Sequence, residues 1–492
     1  MAKSLAKSGA LASLCVMYGA VAAFAAQLVV SNGFGAQGSG TFFQIMALLT
    51  VGTSLAVFGA DTGLVRIISA QVAVGRGSAV RSLLKFAVIP AVLFAFIIAS
   101  SSLIYALPAL TPDMPQVYRA VLYVSAPFIV ASALMTLCFG ALRGLQQVVT
   151  FTVLQNVLLP SLRLLAVVAV VALGAGFVYL ALAWSLPVLL VLAVAGYLVF
   201  RYLPRTADTV QADAIVAETA KTFWGFSSAR GVATIVESIL EWIDVMLITV
   251  FMGVAAGGIY GAVNRYVRVG AMVEHTARMV TGPAISASLA TGATDRARTI
   301  FVNTTRVLVA IAWPFYLTMM FFGPALLSFF GSEFTEAAPI FWIICSAMML
   351  AAAAGGVQSV LLMSGKSRWQ LYNKLSSLAV ALVLNLLLIP AWGLAGAATA
   401  WAAAVLTDTS LAAYQVFKHV GIRASVAELA PAVILSLTVV GGGAGLVSLL
   451  VGQHVTGLLV HLVVVLGLYG LLVLKMRKKL GIASFLTSRK KH

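Results

Sequence analysis

The sequence predicts an all-α integral membrane protein of about fourteen transmembrane helices, arranged as two six-helix pseudo-repeat lobes plus a C-terminal helix pair. Three observations predict it. Apolar residues make up 62% of the chain and charged residues 9%, against about 45–50% and about 25% in soluble domains. The mean hydropathy is +1.06. The apolar runs are continuous, and several exceed the roughly 20 residues that a helix needs to cross the hydrocarbon. In lipid every backbone N–H and C=O must be satisfied internally, which leaves helices or closed barrels. Runs that do not alternate select helices.

Spans begin near Ser8, Phe42, Leu84, Val117, Phe151, Val178, Phe223, Gly258, Val302, Ala337, Leu371, Leu394, Leu429 and Val455. Lys3 and Lys7 precede the first, and Ala23-Phe24-Ala25 imitates a signal-peptidase site. The apolar run continues to Val30, so it reads as a first transmembrane helix. Connections are short. The longest polar stretch carries Asp208, Asp213 and Glu218 and divides the chain. A first lobe covers 1–205, a cytoplasmic linker 206–222, a second lobe 223–420, the helix pair 421–475 and a basic cytoplasmic tail 476–492.

Orientation follows from the basic residues, which gather on the cytoplasmic side. Alternate connections carry Arg66, Arg76, Arg81 and Lys85; Arg143; Arg201, Arg205 and Lys221; Arg296 and Arg298; Lys366 and Arg368; Lys418 and Arg423. The connections between them hold Asp113, Glu333, Glu336 and His454, with Arg119 as their one basic residue. Both termini are therefore expected in the cytoplasm, with Gly33–Gly40 and Glu333–Pro339 outside. This bias accounts for the net charge of +17 without a nucleic-acid partner. Cys15, Cys138 and Cys345 lie far apart inside apolar runs and read as small core residues.

The chain repeats itself. Gly35, Gly40 and Phe42 recur as Gly253, Gly258 and Tyr260, an offset of about 218 residues. Gly144 then answers to Gly365, Gly174 to Gly393, Trp184 to Trp401 and Phe200 to Phe417. An even number of helices per unit gives both copies one orientation, as in parallel-repeat transporters. The last two spans lie outside the repeat.

An ionisable residue at mid-span costs about 2.5–3.5 kcal/mol on insertion scales, while one near a helix end escapes by snorkelling. Asp61, Arg66, Arg119, Arg143, Lys221, Arg306 and Lys374 are set aside on that ground. The seventh span differs: Arg230, Glu237, Glu241 and Asp244 are seven, four and three apart. At 100° per residue they share one stripe, expected to face the interior as an ion-pair seam or as a substrate or coupling-ion site. On the eighth span Tyr260, Asn264, Arg268, His275 and Arg278 form a second stripe, flanked by Arg265 and Glu274. If the two spans run antiparallel through Gly253–Gly258, Asp244 lies level with Arg268 and Glu237 with His275, and Asp244 is expected to pair with Arg268. The first lobe offers Tyr18, Gln27, Gln44, Thr53 and a deep Arg163. Pro160 lacks an N–H and leaves a carbonyl free near Arg163, so that arginine has a structural as well as a binding reading. Acids, a Ser/His pair or a metal set gathered at one water-facing surface would mark an enzyme. The five histidines are scattered, and an enzyme is not expected.

The second half resembles the polysaccharide flippase branch (O-antigen and exopolysaccharide) of the multidrug/oligosaccharidyl-lipid/polysaccharide exporter superfamily. The likeness runs from Asp244 through Gly253, Gly258 and Tyr260, then FFGSEFTEAAP (Phe329 to Pro339), Ser364-Gly365-Lys366, and Ile389 to Ala398. It covers most of Asp244 to Phe417. It implies transport of a polyprenyl-diphosphate-linked oligosaccharide from the inner to the outer leaflet of a bacterial plasma membrane by alternating access. It also implies membrane lipids, and a polysaccharide polymerase or glycosyltransferase, as partners. No cofactor is called for, and Na⁺ or H⁺ is the expected coupling ion, taken by Asp244, Glu241 and Glu237. Arginine suits bidentate phosphate contact, which puts Arg268, Arg265, Arg230 and Arg163 among the substrate-binding candidates with Asn264, Tyr260 and His275. The first span has no basic residue after Lys7, unlike some relatives that flip peptidoglycan precursors. That alternative remains, as does a multidrug cation antiporter of the same superfamily, whose cargo these arginines would repel.

Overall fold

The computed structural model describes residues 2–73, 79–203, 212–364, 367–477 and 480, and their regular structure is helical throughout. Among the described residues nine helices are long and apolar enough to cross a membrane. A tenth is reached if Ile340–Ala354 and Val357–Met363, bent by 44°, form one span. Beyond that tenth span, the expected fourteen follows only on two further conditions. Two of the nine must each cross twice, and the helices Ala212–Met252 and Val254–Ala290, which carry the charged stripes, must be admitted.

The two that would cross twice, Leu11–Val57 and Arg368–Val420, are 47 and 53 residues long. At about 1.5 Å per residue each exceeds twice the roughly 30 Å of hydrocarbon. Each breaks at one glycine: Gly35 (φ 64°, ψ −164°) inside Ala2–Val57, and Gly393 (φ 57°, ψ −132°) inside Ser367–Val420. Across Gly393 the chain folds back, because Asn373 bonds Gln415, Lys374 meets Asp408 and Ser377 bonds Ala404. Position numbers with a nearly constant sum mark an antiparallel hairpin. The stretch Gly33–Gly40, expected as an outward loop, is helical on both sides of a one-residue hinge, and Ser39 within it is wholly buried. Helix Ala212–Met252 likewise turns into Val254–Ala290 at Gly253 (φ 92°). Gly174 also has positive φ, so both glycine pairs, Gly35/Gly253 and Gly174/Gly393, occupy the left-handed region that other residues enter at a cost of about 1–2 kcal/mol.

The chain forms two compact units, Met1–Trp242 and Ile243–His492. Their boundary falls inside the Ala212–Met252 helix, not ahead of it as the sequence suggests. A close crossing holds residues 223–242 in the first unit. A side chain on Gly59 would meet the Ser227 carbonyl, one on Gly63 the Ser227 hydroxyl, and one on Gly231 the Phe58 carbonyl. Ser54 and Ser238 share a 2.7 Å hydrogen bond, and Arg66 lies 4.5 Å over Phe226. Lipid supplies no hydrophobic drive between helices, so small residues that let backbones approach supply the packing. Gly140 and Gly144 repeat the device on the other side of helix Ala60–Ala73, against Asp61 and Leu64. Arg66, set aside as interfacial, is thus a packing residue.

The first unit's core includes Phe42, Ile45, Leu64, Ile68, Leu142 and Val188. In the second, Phe301, Val302, Val360 and Val416 form one cluster. The C-terminal helices join helix Thr294–Ser328 through Phe322, Ala325, Ala444 and Leu458, and Tyr469 donates to the Ala310 carbonyl at 2.7 Å. Of the expected linker, Ala212 onward is helical and 206–211 lies outside the described residues, as do Gly365, Lys366 and most of the tail.

Candidate functional site

In the first unit the polar residues converge on Arg163. It stands on helix Leu159–Ala172, which follows a π-helical turn, Leu154–Leu158. The wider turn accommodates Pro160 at the helix start, and Arg163 does not bond the carbonyl that this proline was expected to free. Its Nε donates to the Trp184 carbonyl at 3.0 Å, and its guanidinium lies 4.2 Å over the Trp184 ring. Phe42 in turn packs edge-on against that ring at 4.6 Å. A stacked, half-buried guanidinium gains about 0.5–2 kcal/mol, and the two contacts together fix the plane of the fork. Its terminal nitrogens make no hydrogen bond or ion pair among the described residues.

Arg163 lines a cavity of about 300 Å³ whose wall includes the hydroxyl residues Thr50, Thr53, Ser54, Ser132, Thr136 and Thr234. The cavity's one acid, Asp61, is met by Arg143 at 2.9 Å. The pair set aside as interfacial therefore neutralises a wall residue and leaves Arg163 to set the sign of the site. Thr53 Oγ1 is buried without a partner. Thr50, Thr53, Ser54 and Val57, and separately Ser132 and Thr136, repeat at helical spacing. That pattern was legible, but only Thr53 stood out among the charges. Tyr18 bonds Ser161 at 2.7 Å, and Gln27 is buried with both amide atoms unpartnered.

On the seventh span the acid stripe divides. Arg230, Glu237 and Glu241 are exposed and Asp244 is buried. Arg230 and Glu237 form a 3.6 Å ion pair, each side chain nearly half exposed. An accessible pair of that length contributes at most about 1 kcal/mol.

In the second unit Asp244 receives Asn385 Nδ2 at 2.7 Å. Where the sequence sets Arg268 level with Asp244, this is the hydrogen bond the structure gives the carboxylate. The second proton of that amide goes to the Ala381 carbonyl at 2.8 Å, which orients the group and leaves Asn385 Oδ1 buried and unpartnered. Asn385 sits alone in the apolar run Leu378–Ile389, a signal the charged stripes overshadowed. Tyr260 is wholly buried. Asn264, Arg265 and Arg268 are half-buried, and both arginines are engaged with neighbours. The side chains of His275 and Arg278 lie outside those described.

No family model matches the sequence. A probable low-salt glycan biosynthesis flippase of Haloferax volcanii is 22% identical over 232 residues, 46% of this chain and 48% of that protein. The match thus spans about half the length of this curated relative. The lipid II flippase MurJ, in an inward closed conformation, superposes with a TM-score of 0.68 at 11% identity, over 95% of this chain and 99% of that one. An inward-facing multidrug resistance MATE family transporter of the MOP superfamily superposes with a TM-score of 0.62 at 13% identity, over 82% and 94%. The chain has the fold that these transporters share.

Proposed function

We propose that this protein is a flippase. It carries a polyprenyl-diphosphate-linked oligosaccharide from the inner to the outer leaflet of a bacterial plasma membrane by alternating access, with both termini in the cytoplasm. The observation that carries the reading is the Arg163 fork, fixed by Trp184 and opening on a hydroxyl-lined cavity. A guanidinium so held presents two parallel donors to phosphate oxygens, and hydroxyls can bond phosphate and sugar alike. The volume is at the small end of ligand sites, about 300–1,000 Å³, enough for a diphosphate and its first sugar. Arg265 and Arg268 are the anion-binding candidates of the second unit. The shared fold and the glycan flippase of Haloferax volcanii support this cargo class. A multidrug cation exporter is disfavoured, because Arg163 would repel a cationic cargo entering that cavity.

Asp244 takes the coupling ion, Na⁺ or H⁺, with Asn385 Oδ1 as the second oxygen. Membrane lipids and the enzymes that make or polymerise the glycan are its partners. The test is flipping of a fluorescent lipid-linked oligosaccharide in proteoliposomes. Arg163→Ala abolishes it, and Arg163→Lys retains part, since an ammonium keeps the charge but not the fork. Asp244→Asn removes the Na⁺ or pH dependence. Wild-type flipping by Arg163→Ala at matched reconstitution, or export of a cationic dye in its place, overturns the reading.

A further inference from the structure

A second polar cluster in the Ile243–His492 unit lies apart from Asp244 and Asn385. Helix Ile340–Ala354 stops at Gly355 (φ 74°, ψ −159°), and the chain resumes as Val357–Met363. Gln358 stands in the first turn after the break, only 9% exposed. Its Nε2 donates to the backbone carbonyl of Asp408 at 3.4 Å. A carbonyl can only accept, so the amide is oriented, and its Oε1 is left buried with no partner. Asp408, also 9% exposed, gives Oδ2 to Lys374 Nζ at 2.8 Å, while its Oδ1 is buried with no partner. Nearby groups on the same hairpin are matched. Asn373 and Gln415 exchange two hydrogen bonds of 2.8 Å, and Ser377 bonds the Ala404 carbonyl at 2.8 Å. Against these satisfied neighbours the two bare oxygens stand out, as Asn385 Oδ1 does farther along the hairpin.

Buried acceptors without partners point to a bound water or ion. The two residues are linked through the Gln358 amide and the Asp408 backbone carbonyl, and a carboxylate oxygen with an amide oxygen is a hard ligand set, suited to a cation that takes oxygen. Lys374 already neutralises the one acid present, which leaves too little negative charge for a divalent ion. Breaks in membrane helices are where transporters coordinate small cations. We propose that Asp408 Oδ1 and Gln358 Oε1 form a Na⁺ site, with the Lys374 ammonium as the built-in competitor that keeps its affinity low. This goes beyond the coupling ion assigned to Asp244 and does not depend on it.

The experiment is equilibrium binding of radioactive Na⁺ to the purified full-length chain, in an Asp244→Asn background that removes the first site. Residual Na⁺ binding is expected, unmatched by choline. Gln358→Leu weakens it by about tenfold or more, and Asp408→Asn abolishes it. Lys374→Met tightens it by about tenfold, because a like charge close to the ion is removed. A purely structural Lys374–Asp408 pair predicts the opposite for Lys374→Met: loss of folding with no gain of affinity. Should Asp408→Asn not fold, Gln358→Leu and Lys374→Met decide the matter. No residual binding in Asp244→Asn, or an affinity unmoved by both Gln358→Leu and Lys374→Met, overturns the proposal and leaves the two oxygens to water.

Discussion

Arg163 and Asp244 are both deep ionisable residues, and each is held by one partner residue. Trp184 serves Arg163 twice, through its carbonyl and its ring. Trp184→Leu keeps the carbonyl and removes the ring, so the guanidinium tilts while its charge stays. Half-maximal cargo concentration in the proteoliposome assay should rise several-fold with the maximal rate nearly unchanged. A fall in rate alone would mean that Trp184 only packs against Phe42. Asp244 has the reverse dependence, on a donor from another part of the fold. Asn385→Leu leaves that buried carboxylate short of a hydrogen bond, at a cost of about 1–3 kcal/mol. The thermal midpoint in detergent should drop accordingly. In the Asp244→Asn background the same substitution should cost clearly less, as residues in contact are non-additive; equal losses in the two backgrounds would show that the hydrogen bond carries no weight.

The helices are shaped by where they break. Gly35, Gly253 and Gly393 turn the chain at single residues of positive φ, which is why Ala2–Val57 and Ser367–Val420 run so long without a loop. Gly393→Ala adds a side chain in the left-handed region and should lower stability by about 1–2 kcal/mol, read as a shift in thermal midpoint. Phe58 (φ 46°) and Gly59 (φ 75°) interrupt the next stretch where it crosses Ser227 and Gly231, and Val57 and Gly59 line the Arg163 cavity. In a protein whose own three cysteines are replaced by alanine, Ser54→Cys with Ser238→Cys should oxidise readily, since the native hydroxyls are 2.7 Å apart. Loss of maleimide reactivity at both positions reports the bond. If alternating access opens this crossing, oxidation stops flipping and reduction restores it; undiminished flipping by the oxidised protein would make the crossing a static seam.

Orientation in the bilayer is a property of the charge distribution over all connections. A membrane-impermeant thiol reagent applied outside cells should label Gln37→Cys and Ser332→Cys, both exposed, and spare Thr291→Cys, exposed in the turn between Val254–Ala290 and Thr294–Ser328. Ser39→Cys should be refractory despite lying only two residues from Gln37, because that position is wholly buried. Labelling of Thr291→Cys with protection of Gln37→Cys would invert the topology and, with it, the direction proposed for the cargo.

The membrane class, the helical architecture and the positions of the hinge glycines follow from composition and from the repeat. They depend on how much apolar surface each stretch carries and on which positions recur, and both can be counted along a chain. Two of the glycine pairs that answer one another at an offset of about 218 residues, Gly35 with Gly253 and Gly174 with Gly393, also share positive φ, because a hairpin between two spans needs a residue without a Cβ at the turn. The partners of the charges could not be counted that way. Asp61, Arg143 and Lys374 read as separate interfacial residues, yet Asp61 meets Arg143 and Lys374 meets Asp408, each at under 3 Å. Trp184, Asn385 and Gln358 gave no charge to notice. Whether a buried arginine faces a cavity or a carbonyl depends on which helix crosses it at its own depth. Helix packing in lipid decides that through side-chain fit and close backbone approach, and neither is a property of one segment.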